Sequence, residues 1–188
     1  MSIAEAQRDV RRLYAGGFHG QLVSAAVWLV AAAVATWGSS EGAVAVLFLG
    51  GTLIFPLTQL VLRLSGRPAS LPSGHPMAAL ATQVAFTVPI GLVVVVAMLG
   101  GRGELFFPAS MVIVGAHYLP FVFLYGMRMF AVLAAALVVP GLVLLVWVRG
   151  PVALGGWLTA GVLVVFAVLL RASAGALEAD AEQGVHGA

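Results

Sequence analysis

Residues 76–99 read PMAALATQVAFTVPIGLVVVVAML, 24 positions without one charged side chain. A helix that crosses the roughly 30 Å hydrocarbon core of a bilayer needs about 20 mostly apolar residues. This run is long enough, and its flanks stop it cleanly. LSGRPASLPSGH precedes it at residues 64–75 and GGRGE follows at 100–104, both rich in turn-forming residues and charge. Working outward, the same reading recurs over 20–37, 43–64, 105–127, 129–148 and 151–170. The chain is therefore read as an all-α polytopic membrane protein with six transmembrane helices. An even number of spans puts both ends on one side.

Composition agrees. Of 188 residues, 62% are hydrophobic and 9% charged, with a mean hydropathy of +1.09. A soluble domain carries about 25% charged residues. There is no cysteine, which excludes disulfides, thiolate metal sites and cysteine nucleophiles. All nine basic residues are arginine, so lysine Schiff bases and a P-loop lysine are excluded as well. The formal charge of +2 is too small to argue for nucleic acid.

The arginines orient the chain. With both termini cytoplasmic, the inner segments hold Arg8, Arg11, Arg12, Arg63, Arg67, Arg128 and Arg171. The outer loops hold only Arg102 and Arg149, which is the positive-inside pattern. Three regions follow: a cytoplasmic amphipathic segment at 1–19, the six-span domain at 20–171, and a small-residue, acidic tail at 172–188 expected to be flexible. The first span does not read as a signal peptide, because no small-residue cleavage site and polar mature sequence follow it.

The chemistry concentrates in residues 115–128, GAHYLPFVFLYGMR. On a helix, His117, Tyr118, Phe121, Tyr125 and Ser110 share a face about a third of the circumference wide. Pro120 cannot continue the hydrogen-bond ladder and is expected to bend the helix beside His117. In the second span Thr52, Phe55, Pro56, Gln59 and Arg63 share a face; Gln21 opens the first span, and Gln83 stands one turn from Thr87 in the third. A side-chain amide in hydrocarbon costs several kcal/mol unless bonded. Gln21, Thr52, Gln59, Gln83, His117, Tyr118 and Tyr125 are therefore expected to line a polar pocket open to the cytoplasm. The fifth and sixth spans carry almost no polar side chains apart from Thr159 and are expected to be scaffold or a homo-oligomer contact, with Gly156, Ala160 and Gly161 as packing surface.

Catalytic motifs are poor. Residues 67–75, RPASLPSGH, contain RP and PSGH, fragments of the lipid-phosphatase signature. That family's lysine would fall at Leu60, the two fragments stand too close, and no downstream nucleophilic histidine motif exists, so the stretch is read as a turn. No carboxylate lies deep in a span, which removes the commonest coupling group of membrane pumps. His117 with His19 does not make a haem site, and no cofactor, metal ligand or catalytic residue is assigned.

Three runs carry a resemblance: GGTLIFPLTQLVLRLSGRPASL at 50–71, QVAFTVP at 83–89 and IVGAHYLPFVFLYGM at 113–127. They resemble a bacterial family of small multi-span membrane proteins classed only as a domain of unknown function. The resemblance covers most of residues 16–166. It implies the polytopic fold and a bacterial inner membrane, and it carries no activity. The functional expectation is binding or transport of a small neutral or weakly polar solute, with the lipid bilayer and that ligand as partners. The alternatives are a membrane enzyme acting on a lipid or quinone-like substrate with His117 as acid/base, and an assembly subunit whose glutamines bond one another.

Overall fold

A computed structural model of the chain describes residues 1–99, 102–147 and 150–186, with side chains to residue 180. Arg149, assigned to an outer loop, lies outside the described residues. Among those described, every regular element is helical: α1 (Ile3–Tyr14), α2 (Phe18–Trp37), α3 (Ser40–Leu64), α4 (Ala78–Met98), α5 (Phe106–His117), α6 (Leu119–Tyr125), α7 (Met129–Val146) and α8 (Leu154–His186). The six expected spans are present, with α5 and α6 together making the fourth. The helix of the last span runs without a break past residue 171, so residues 172–186 continue α8.

α1 is held at its start by a capping box. Ser2 Oγ accepts from the Glu5 backbone N–H, and the Glu5 carboxylate accepts from the Ser2 N–H. That bond to the Ser2 backbone holds the Glu5 carboxyl below the ordinary glutamate value. The helix ends where Gly16 and Gly17 take positive φ of 66° and 92°. At Gly16 the geometry demands glycine twice, since a Cβ there would also stand 2.8 Å from the Leu170 carbonyl oxygen of α8.

The α5–α6 break sits at Tyr118. Pro120 lacks an N–H and follows Leu119, so the ladder closes through tighter bonds, Tyr118 N–H to Gly115 O (3.1 Å) and Phe121 N–H to Tyr118 O (3.1 Å). α6 ends at Gly126 with φ of 63°, and its last carbonyls find partners on α1. Gln7 Nε2 donates to Phe123 O (2.6 Å) and the Arg11 guanidinium donates to Tyr125 O (2.6 Å). Burial lowers the Arg11 pKa, and the nearby Glu178 carboxylate offsets part of that shift.

The spans form an uneven ring. α2 packs extensively against α3 and α8, and α5 against α7, while α3 and α4 touch sparsely. Close approach marks the tight seams. A Cβ on Gly115 would stand 2.7 Å from Val138, one on Gly141 would meet Met111 and the Pro108 carbonyl, and one on Gly156 would meet Ala32 and Phe107. Gly156 and Ala160 of α8 thus pack inside, whereas Gly161 faces outward with nothing near it. At the core Phe106, Phe107, Met111, Phe130, Leu133 and Leu137 are fully buried.

Candidate functional site

Between α2, α3, α4 and α5–α6 lies a cavity of about 160 Å³. One water needs roughly 15 Å³, so the space far exceeds a single buried solvent site. It runs along α2 from Gly17 to Trp28, roughly 16 Å at 1.5 Å per residue. Its deep end is apolar, closed by Trp28, Leu47, Leu92 and Val114. Toward the side of the termini it becomes polar, and Tyr14 and Gly17 overhang it there.

Six of the seven side chains expected at the site line this cavity: Gln21, Thr52, Gln59, His117, Tyr118 and Tyr125. Gln83 does not. It is exposed on α4 and absent from the lining. It lies five residues into α4, roughly 8 Å from the helix start. Val84, Val88 and Leu92 take the inward face of α4 instead.

His117 is oriented by a residue the expected set omits. Its Nδ1 stands 2.7 Å from Thr87 Oγ1, whose hydroxyl donates to Val84 O at 2.8 Å. A threonine hydroxyl has one proton. The chain Nδ1–H to Oγ1–H to carbonyl uses that proton once, and in this tautomer Nε2 is a lone-pair acceptor on a ring that lines the cavity. The sequence signal for Thr87 was only its place one turn from Gln83 on an apolar helix.

The Tyr118 hydroxyl donates to Gln21 Oε1 at 3.0 Å, joining α2 to the α5–α6 break. Both side chains are buried, at 5% and 2% exposure. Tyr118, Phe121, Tyr125 and Phe130 form a packed aromatic cluster, with the Tyr125 and Phe130 centroids 4.8 Å apart. Gln59 and the Tyr125 hydroxyl make no hydrogen bond among the described residues. Thr52 is spent locally, its hydroxyl donating to Leu49 O at 2.7 Å. Tyr14 and His19, outside the expected set, also line the cavity, and His19 Nδ1 is buried without a partner among the described residues. Neither had a periodic signal, because the glycine turn at 16–17 swings them in.

Arg67 and His75, the residues of the phosphatase-like stretch, serve the fold. The Arg67 guanidinium donates to Arg12 O (2.8 Å), and the buried His75 ring accepts the Met77 N–H at Nδ1 and lies 3.6 Å from Asp9 through Nε2. They pin the α3–α4 loop to α1.

The sequence model of a family of unknown function, DUF7010, matches residues 3–173. The chain belongs to that family. The match begins at α1 and ends within α8, so it takes in the helix that overhangs the cavity as well as all six spans. No curated protein and no solved structure matches the chain significantly. This DUF7010 member is thus a multi-pass membrane protein.

Proposed function

We propose that this DUF7010 protein binds a small, neutral, weakly polar molecule in the cavity and carries it across or out of a bacterial inner membrane. The observation that carries this reading is the convergence of the His117 acceptor, the Gln59 amide and the Tyr125 hydroxyl on one cavity within the membrane domain. Polar groups at that depth cost several kcal/mol without a partner, and a ligand supplies one. No Asp, Glu or Arg side chain lines the cavity among the described residues, which favours an uncharged occupant. A scaffold would pair its glutamines, yet Gln21, Gln59 and Gln83 make no bond to one another among the described residues. No carboxylate orients His117 as in a catalytic triad; its Nδ1 meets a threonine instead.

Vesicles containing the purified protein should swell faster in glycerol or propanediol than protein-free vesicles. His117→Leu should bring that rate down to the protein-free value at unchanged helix content, while His117→Gln, which keeps an acceptor, should retain much of it. Equal swelling of wild-type and protein-free vesicles would overturn carriage of such solutes. The arginine distribution supports cytoplasmic termini. Ser73→Cys in this cysteine-free chain should then resist an impermeant maleimide in intact cells, and Arg102→Cys should react. Labelling of residue 73 from outside reverses the orientation.

A further inference from the structure

The rim of the cavity lies on the lipid side. Phe55 of α3 lines the cavity and is also 45% exposed, and Thr52 one turn earlier is both a lining and an exposed residue. A side chain that meets both the interior space and the outer surface marks an opening. Across from them α4 presents Ala81, Ala85, Val88 and Pro89, a stripe whose first two members are small. α3 and α4 come together at Gly51, where a Cβ would stand 3.2 Å from Leu92, and the two helices touch sparsely overall. Toward the termini from that contact, small alanines on α4 leave the seam unfilled. The end facing the aqueous side is overhung by Tyr14 and Gly17, with α1 tied to α6 through Gln7 and Arg11. The less obstructed route therefore runs sideways, from the hydrocarbon.

The chemistry inside matches such a route. A molecule entering between Phe55 and Ala85 meets Ile54, Val88 and Pro89 before it reaches His117. At that point the ring offers Nε2 as an acceptor, which calls for a hydroxyl or N–H donor on the ligand. We infer that the ligand is a neutral, membrane-dissolved amphiphile with a hydroxyl-bearing head, taken from the bilayer between α3 and α4, its head on His117 and its hydrocarbon in the seam. This rests on the pocket reading above and names its ligand class and entrance.

Trp28 closes the deep end of the cavity and reports on occupancy. In a Trp37→Phe, Trp147→Phe, Trp157→Phe background reconstituted in phosphatidylcholine vesicles, bromoundecanol should quench Trp28 fluorescence saturably. Bromoundecane, with the tail and no donor, should quench only in proportion to its membrane concentration. His117→Leu should weaken the saturable component about tenfold, the loss expected when one hydrogen bond's partner is removed. His117→Gln should keep it. Ala85→Phe, which fills the seam across from Phe55, should weaken it as well, and it keeps the test open should the leucine variant lose helix content. If bromoethanol quenches saturably and depends on His117 while bromoundecanol does not, the lateral amphiphile is overturned and the pocket reading stands. If neither probe depends on His117, both fall. Saturable bromoundecanol quenching that Ala85→Phe leaves unchanged overturns the α3–α4 entrance.

Discussion

The α5–α7 seam and the α3–α4 seam are built from the same residue types and behave as opposites. At the first, Gly115 and Gly141 let backbones approach until a single added carbon would collide with Val138, with Met111 or with the Pro108 carbonyl. At the second, Gly51 makes one contact with the flexible end of Leu92, and the helices touch little elsewhere. Lipid gives helices no hydrophobic drive to associate, so shape decides which seams close. Small residues tighten a seam when a neighbouring side chain or carbonyl packs onto them, and loosen it when they face only space. The difference places rigidity on one side of the cavity and a yielding wall on the other.

The comparison breaks most sharply at Gly115. Gly115→Leu should destabilise by about 3 kcal/mol, since overpacking a closed interface forces backbone shifts, read by equilibrium unfolding in mixed micelles. Gly51→Ala should stay within about 1 kcal/mol of wild type by the same assay, because Leu92 can move and alanine suits a helix better than glycine. Equal losses at both positions would mean that the two seams are packed alike. Arg11→Ala should cost about 2 kcal/mol, the worth of a hydrogen bond to a charged group. It should also raise amide hydrogen exchange along α1 while leaving the α5–α7 core protected. Exchange rising equally in both would show that α1 is no separate clamp. The smallest effect belongs to the capping box. The bond to the Ser2 backbone lowers the Glu5 pKa in the folded chain, so its contribution is present above the unfolded value and is lost as pH falls through the folded one. Exchange at the first turn of α1 should rise in that acidic window in wild type and show no such pH dependence in Glu5→Gln.

Much of the architecture was legible residue by residue. The six spans follow from length and hydropathy, which are local properties. α1 was legible from its charge pattern, and the fourth span's bend from Pro120. The polar face of residues 115–128 was readable because one histidine and two tyrosines fall on it among apolar neighbours. Gln83 was misplaced because a helical wheel shows which residues share a face and leaves open where that face points.

The sequence by itself determined that this chain is a six-span helical membrane protein with its polar chemistry around His117. Only the tertiary structure decided which of those polar groups meet. The spans are apolar nearly all round, so nothing in their own pattern fixes their rotation in lipid. That rotation is set by close packing across Gly115, Gly141 and Gly156, by the break at Tyr118, and by Arg11 holding α1 to the end of α6. Those contacts turn Thr87 onto His117, leave Gln83 outside, and open the cavity toward the seam between α3 and α4.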